Sequence, residues 1–188
     1  MSTEHFIVYK LTIGAVMYRL YGPPGMAALQ QPGPGNAVLV LSTEAWDVIN
    51  DPSPEGQAIA LAGVRAALWE QVKAKRATLI DGGIAVDGIG SFDTDATARE
   101  NIQGAVTGAV LAGMAETSFA VTWTLADNSS AELDGAEMIA VGQALLVLVD
   151  GCHARARELR ALIDDEEAGL SDLLQIDIAT GWPGEEEA

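Results

Sequence analysis

The chain has 188 residues, 49% of them hydrophobic and 5% aromatic, with 27 acidic against 10 basic side chains and a formal net charge of -17. That acidity excludes the sequence-independent phosphate affinity of basic nucleic-acid binders and disfavours docking on anionic membrane surfaces, so neither nucleic acid nor membrane is expected as a partner. One cysteine, Cys152, leaves no intrachain disulfide and no thiolate zinc cluster, and two histidines leave little material for a Ser-His-Asp triad.

In chain order, Phe6 to Thr12 alternates as a strand, Ile13-Gly14 turns, and Ala15 to Tyr21 gives a second strand. Gly22-Pro23-Pro24-Gly25 breaks it, Met26 to Gln31 suits a helical turn or two, and Pro32-Gly33-Pro34-Gly35-Asn36 breaks the chain again. Ala37 to Leu41 is a third strand. Residues 1–45 thus read as an N-terminal β module, too small to stand without a neighbour. The start, MSTEHFIVYKL, has no basic stretch followed by a long apolar run, so no secretory signal is expected, and synthesis in a reducing cytoplasm fits.

Residues 46–54 read as a linker that ends with Ser53 as a helix cap and Pro54 at the first helical position. A helix from about Glu55 to Ile80 carries Leu61, Val64, Leu68, Val72 and Leu79 on one face, and Gly82-Gly83 stops it. A short hairpin turns at Asp87-Gly88. The next helix starts near Asp95 to Thr97, with Thr97 and Glu100 at capping-box spacing, and ends near Met114. Gly104, Gly108 and Gly113 on it imply close packing against another helix.

From Val121 to Ile163 a strand, a turn at Asp127-Asn128-Ser129 and a second strand lead into one long helix, which Asp134 and Glu137 open as a capping box. Met138, Val141, Leu145, Leu148, Cys152, Ala156, Leu159 and Ile163 recur along it at helical spacing. Around Ala144 to Val149 it is apolar on every side, more than a helix packed on one face requires. Its longest apolar run, Met138 to Val149, is too short to span a bilayer and contains Gln143. The domain is therefore expected over 55–163. Residues 164–188 form an acidic tail, yet Leu170, Leu173, Leu174, Ile176, Ile178 and Trp182 are scattered through it, so the tail is expected to order by docking on a partner or a neighbouring copy. The fold class is α+β: a small β module, three helices with two β-hairpins, and the tail.

No motif makes a case for an enzyme. Cys152 and His153 are neighbours on a helix and point about 100° apart, so they do not form a nucleophile–base pair, and Cys152 belongs to the apolar stripe. Asp93 and Asp95 beside Asp87 raise a divalent-cation site, but the spacing lacks the glycine and closing glutamate of a calcium loop, and capping and turn formation account for them. Gly33-Pro34-Gly35 and Gly88-Ile89-Gly90 do not lead from a strand into a helix in the phosphate-binding manner.

Two stretches carry a resemblance. Gly22-Pro23-Pro24-Gly25-Met26-Ala27-Ala28-Leu29-Gln30 followed by Pro34-Gly35-Asn36-Ala37-Val38-Leu39 resembles a short N-terminal module of tailed-phage proteins, departing from it at Tyr21-Gly22, where a cysteine is usual, and at Asn36, where glutamate is usual. Residues 68–163 resemble a domain of unknown function common near phage tail-fibre and tail-tip proteins, through Lys75-Arg76, Val86-Asp87-Gly88, Phe92-Asp93-Thr94-Asp95, Arg99-Glu100-Asn101-Ile102, Thr122-Trp123 with Ala126-Asp127, and Cys152-His153-Ala154-Arg155-Ala156-Arg157. The resemblance implies a non-enzymatic structural component of a phage tail, made in the host cytoplasm and located in the virion, with other tail proteins and further copies of itself as partners. An assembly chaperone for tail fibres, absent from the finished particle, is the alternative, and a metal-dependent hydrolase on Asp87, Asp93 and Asp95 is the remote third. The resemblance supplies no catalytic, cofactor or metal residues. The residues singled out as candidate partner contacts are Leu146, Leu148, Leu170, Leu173, Leu174, Ile176 and Trp182.

Overall fold

Glu4–Lys10 (β1) lies in the middle of a three-stranded antiparallel sheet, between Ala15–Gly22 (β2) and Asn36–Leu41 (β3). Ile7 is the register mark, facing Arg19 on one side and Leu39 on the other. Phe6, Ile7, Val8 and Tyr9 are all buried, so the strand is covered on both faces and its sequence needs no strict alternation. The computed structural model describes residues 3–184, and the fold is α+β.

Contacts divide the chain into two units. The first is Met1–Ala74 with Ala156–Thr180, and the second is Lys75–Arg155 with Gly181–Ala188. This differs from a division into 1–45, 46–54, 55–163 and 164–188. The boundaries fall inside the two long helices, Pro54–Asp81 (α2) and Gly135–Ile163 (α4), because each offers apolar residues along its whole length. Burial, rather than the position of a loop, decides which residues belong together.

In the first unit, the expected linker is packed structure. Ser42 accepts a hydrogen bond from the Ala45 amide (3.2 Å) and caps a short helix, Thr43–Val48 (α1). The Trp46 indole donates to the Phe6 carbonyl of β1, and Ala45 and Ile49 are buried. Gly63 of α2 passes so near Ala45 that a Cβ there would sit 2.2 Å from the Ala45 methyl. Helix α2 starts as its sequence requires, with the Gly56 amide donating to the Ser53 hydroxyl (3.1 Å). It buries Ala60, Val64, Leu68 and Val72, and Gln71 donates to the Val38 carbonyl of β3 (2.8 Å).

The acidic segment folds back within this same unit. A one-and-a-half-turn helix, Leu170–Leu174 (α5), places Leu173 and Leu174 in full burial. Arg65 of α2 holds the approach to it, donating to the carbonyls of Ile163 (3.0 Å), Asp165 (2.7 Å) and Ala168 (3.2 Å). Those carbonyls end α4 and form the following turn, where helical partners run out. Ser171 donates to the Ile13 carbonyl (3.0 Å), beside Gly14 in its left-handed conformation. Residues 164–180, expected to order by docking on another chain, pack within this unit, with Leu173 and Leu174 fully buried. Residues 185–188 of the expected tail lie outside the described residues.

In the second unit, two hairpins and two helices share a core of Phe92, Ile102, Ala109, Leu133, Met138 and Val141. The hairpins are Ile84–Val86 with Gly90–Phe92 (β4, β5) and Ala120–Thr124 with Ser130–Asp134 (β6, β7). Thr94 is fully buried, and its hydroxyl is satisfied twice, donating to the Ile80 carbonyl and accepting from the Gly83 amide. Helix Ala96–Met114 (α3) is capped by Asp95 through the Ala98 amide (2.9 Å), two residues earlier than a Thr97–Glu100 box. The α4 capping box forms as its sequence specifies: Glu137 accepts from the Asp134 amide and Asp134 from the Glu137 amide, each at 2.9 Å.

Candidate functional site

One surface rich in exposed apolar residues lies on α3 and α4. Gly142 of α4 is the point of closest approach, where an added Cβ would meet the Val106 side chain at 2.6 Å. Gly104 and Gly113, expected to serve such packing, have nothing within 4 Å of an added Cβ, and Gly108 faces the edge of the Phe119 ring. Ala109 lies near Gly135 and Val106 near Gly142, so the helices run antiparallel. Toward the start of α3, a groove of about 660 Å³ opens between them. Ile102, Val106, Ile139 and Leu145 are among its lining, with Leu146 and Val149 on the α4 side and Arg99, Glu100 and Gln103 on the α3 side.

This surface carries more exposed hydrocarbon than a solvated helix pair needs. Leu146 and Val147 are 67% and 71% exposed on α4, and Leu111 and Met114 are 59% and 78% exposed on α3. No charged residue occurs from Asn101 to Ala115 or from Met138 to Val149. By length and composition α4 is apolar enough to cross a membrane, with 17% of its most apolar window buried. The 12-residue run Met138 to Val149 is itself shorter than a bilayer span, and Glu137 and Asp150 bound it.

The predicted contact residues divide between the two units. Leu146 is exposed at the groove and Leu148 is half-buried on α4. Leu170 and Ile176 are half-buried in the first unit, where Leu170 borders a smaller pocket with Ile49 and Leu61. Leu173 and Leu174 (both 0% exposed) and Trp182 (3%) are buried by the chain itself and offer nothing to a partner. They were singled out because large apolar residues in an acidic run look unpartnered; the partner is intrachain. Val110, Leu111, Met114 and Val147 were missed, although the uncharged stretch from Asn101 to Ala115 was a readable signal.

The acids of the metal reading are not brought together. Asp93 and Asp95 border a polar cleft with Asn101 and Trp123, whereas Asp87 lies in the β4–β5 turn and is not among that cleft's lining residues. Among the described residues there is no group of three His, Cys, Asp or Glu side chains placed to hold a metal ion. Asp127 is held below the usual carboxylate range by hydrogen bonds from the Ser129 hydroxyl and amide, which makes it a turn residue. Cys152 is fully buried, and burial pushes its thiol up from the ordinary value, with the positive charge of Arg76 opposing. His5 is half-buried, with its ring 5.1 Å from Trp46 and Nδ1 3.3 Å from the Thr43 hydroxyl.

The fold is mixed α+β, and one exposed surface of it is an uncharged apolar face on a helix pair. Residues 63–180 match the family described as Domain of unknown function (DUF4376), and the chain belongs to that family. No curated protein and no solved structure matches it.

Proposed function

We propose that this chain is a non-enzymatic structural component of a phage tail, at the tail tip, the tail fibre or the fibre attachment, and that it works through protein–protein assembly contacts. The observation that carries the assembly part is the uncharged, exposed face of α3 and α4 in a chain of net charge -17. Contiguous exposed apolar surface of this kind marks interaction sites on folded proteins. The phage setting rests on the resemblance of Gly22 to Leu39 and of residues 68–163 to tail-associated proteins.

A second reading, an assembly chaperone absent from the mature particle, draws on the acidity, which suits transient, salt-sensitive contact with a basic client. Quantitative mass spectrometry of gradient-purified particles of the producing phage separates the two. A fixed ratio of several copies per particle is expected. Presence in the lysate with absence from intact particles sinks the structural reading and leaves the chaperone.

A further inference from the structure

We infer that the α3–α4 face pairs with a second copy of this chain, in a two-fold dimer that lays the two α3 helices antiparallel across Thr107. The proposal deepens the assembly reading and rests on its premise that this face is a protein contact, but it does not depend on the phage setting.

Ala96, Glu100, Gln103, Thr107, Val110 and Met114 follow one another at spacings of four and three, and all six are exposed. That is the seam spacing of helices that pair along their length. The seam has two unlike halves. Its later half is a ridge, with Val110 (44% exposed) and Met114 (78%) projecting and Leu111 beside them. Its earlier half borders the groove, whose far wall is Leu146 and Val149.

A two-fold axis through Thr107 brings the ridge of each copy onto the groove of the other. Met114 then lies over Glu100 of the second copy, beside its Leu146, and Val110 lies opposite Gln103. Such self-complementarity of one patch is what an isologous contact requires. Methionine suits the ridge tip, since an unbranched thioether fills an irregular groove. The seam's shoulders are open, because Gly104 and Gly113 have nothing within 4 Å of an added Cβ. Glycine is the least favourable residue in a helix interior after proline, and no intrachain neighbour calls for it at these two positions.

Charge also selects a second copy over a basic client or an anionic lipid surface. The face is uncharged from Asn101 to Ala115 and from Met138 to Val149, and Glu100 at the groove is matched there by Arg99, so it gives a cationic partner little to recognise. A like-charged copy can meet it without opposing carboxylates along most of the seam. A membrane-spanning α4 would have to place Glu137 and Asp150 in hydrocarbon, at high cost.

The 19 residues of α3 span about 28 Å, and two packed helices are about 20 Å across, which gives a footprint on the order of 500 Å² per copy. The total, about 1,000 Å², sits at the lower edge of specific interfaces, among weak and reversible contacts.

Sedimentation of the full chain from about 1 to 100 µM tests this, with a monomer–dimer equilibrium near 10 µM expected. Raising the salt should tighten the dimer severalfold by screening the repulsion between two acidic chains, whereas a contact with a basic client weakens. Met114→Gln and Leu146→Gln each should weaken pairing at least tenfold. Neither changes the net charge or offers Glu100 a cation, so a loss reports the apolar contact, and circular dichroism checks that these exposed positions leave the fold intact. Thr107→Cys should cross-link to itself under mild oxidation, while the buried Cys152 of the parent chain does not. A chain that stays monomeric throughout, a dimer indifferent to both glutamine substitutions, a Thr107→Cys chain that does not cross-link, or transfer of the chain onto neutral lipid vesicles in place of pairing overturns the proposal. Absence from virions leaves it standing, so its failure and that of the phage reading are distinguishable.

Discussion

Replacing Arg65 by alanine asks what holds residues 164–180 to the first unit. The guanidinium donates to three backbone carbonyls, those of Ile163, Asp165 and Ala168, at 2.7–3.2 Å. Hydrogen bonds from a charged donor contribute about 1.5–3 kcal/mol when shielded, and a few tenths to about 1 kcal/mol when solvent competes. The Ile163 and Ala168 bonds are part-buried and the Asp165 bond is exposed. A net loss of about 2–3 kcal/mol follows, including the cation's interaction with the negative end of α4. Hydrogen exchange followed by mass spectrometry reads this directly. Protection of amides in residues 165–176 should fall roughly 30- to 150-fold, at one decade per 1.36 kcal/mol. Arg65→Lys should recover little, since a point ammonium cannot replace a planar fork of donors reaching three acceptors. A change below about threefold, or full rescue by lysine, would refute the account and assign the anchoring to Leu173 and Leu174.

Gly14→Ala should loosen the same segment from its other side. Gly14 has φ +56°, and an added Cβ would lie 2.0 Å from the Ser171 carbonyl oxygen, so the loss should exceed about 2 kcal/mol and speed cleavage by a glutamate-specific protease at Glu166–Glu167. The Tyr9 hydroxyl is pushed up to about 12 by burial, with the Asp177 carboxylate adding to it. The unfolded chain ionises near pH 10 while the folded one does not, so stability holds below pH 10 and falls by about 2–3 kcal/mol toward pH 12. Urea titrations across that window should show the fall, and Tyr9→Phe should remove it. Cys152 should be inert to a thiol reagent in the native protein and react fully in urea, since it is buried and its thiol is shifted up. Rapid native labelling would show that this part of α4 opens.

Where local chemistry alone specified an element, the sequence was sufficient. The Ser53 cap ahead of Pro54, the Asp134–Glu137 box, the Gly14 turn and the Asp87-Gly88 hairpin all depend on residues within a few positions, and each has its expected counterpart. Cys152 was readable as core for the same reason, from the spacing of its neighbours. What escaped was decided at long range. Helix α1 is six residues long and is held by a bond from Trp46 to Phe6, forty positions away. The fate of Leu173 and Leu174 depends on Arg65, about a hundred positions upstream, and composition gave no hint of it. The unused ridge of Val110 and Met114 was overlooked because a helix with small residues on one side reads as packed, whereas Gly142 on the facing helix makes the close approach.

The long-range ties of the first unit set a clock on its synthesis. Its sheet and most of α2 are made by Ala74, yet the segment Ala156–Thr180 that completes it follows about a hundred residues later. The Ser171–Ile13 bond closes a separation of 158 positions. At 5–20 residues per second, the sheet waits for roughly 5–20 s before its last cover is available. Through that interval it must keep its apolar residues from other chains with what it already has, and a ribosome pause after Ala74 lengthens the exposure in direct proportion.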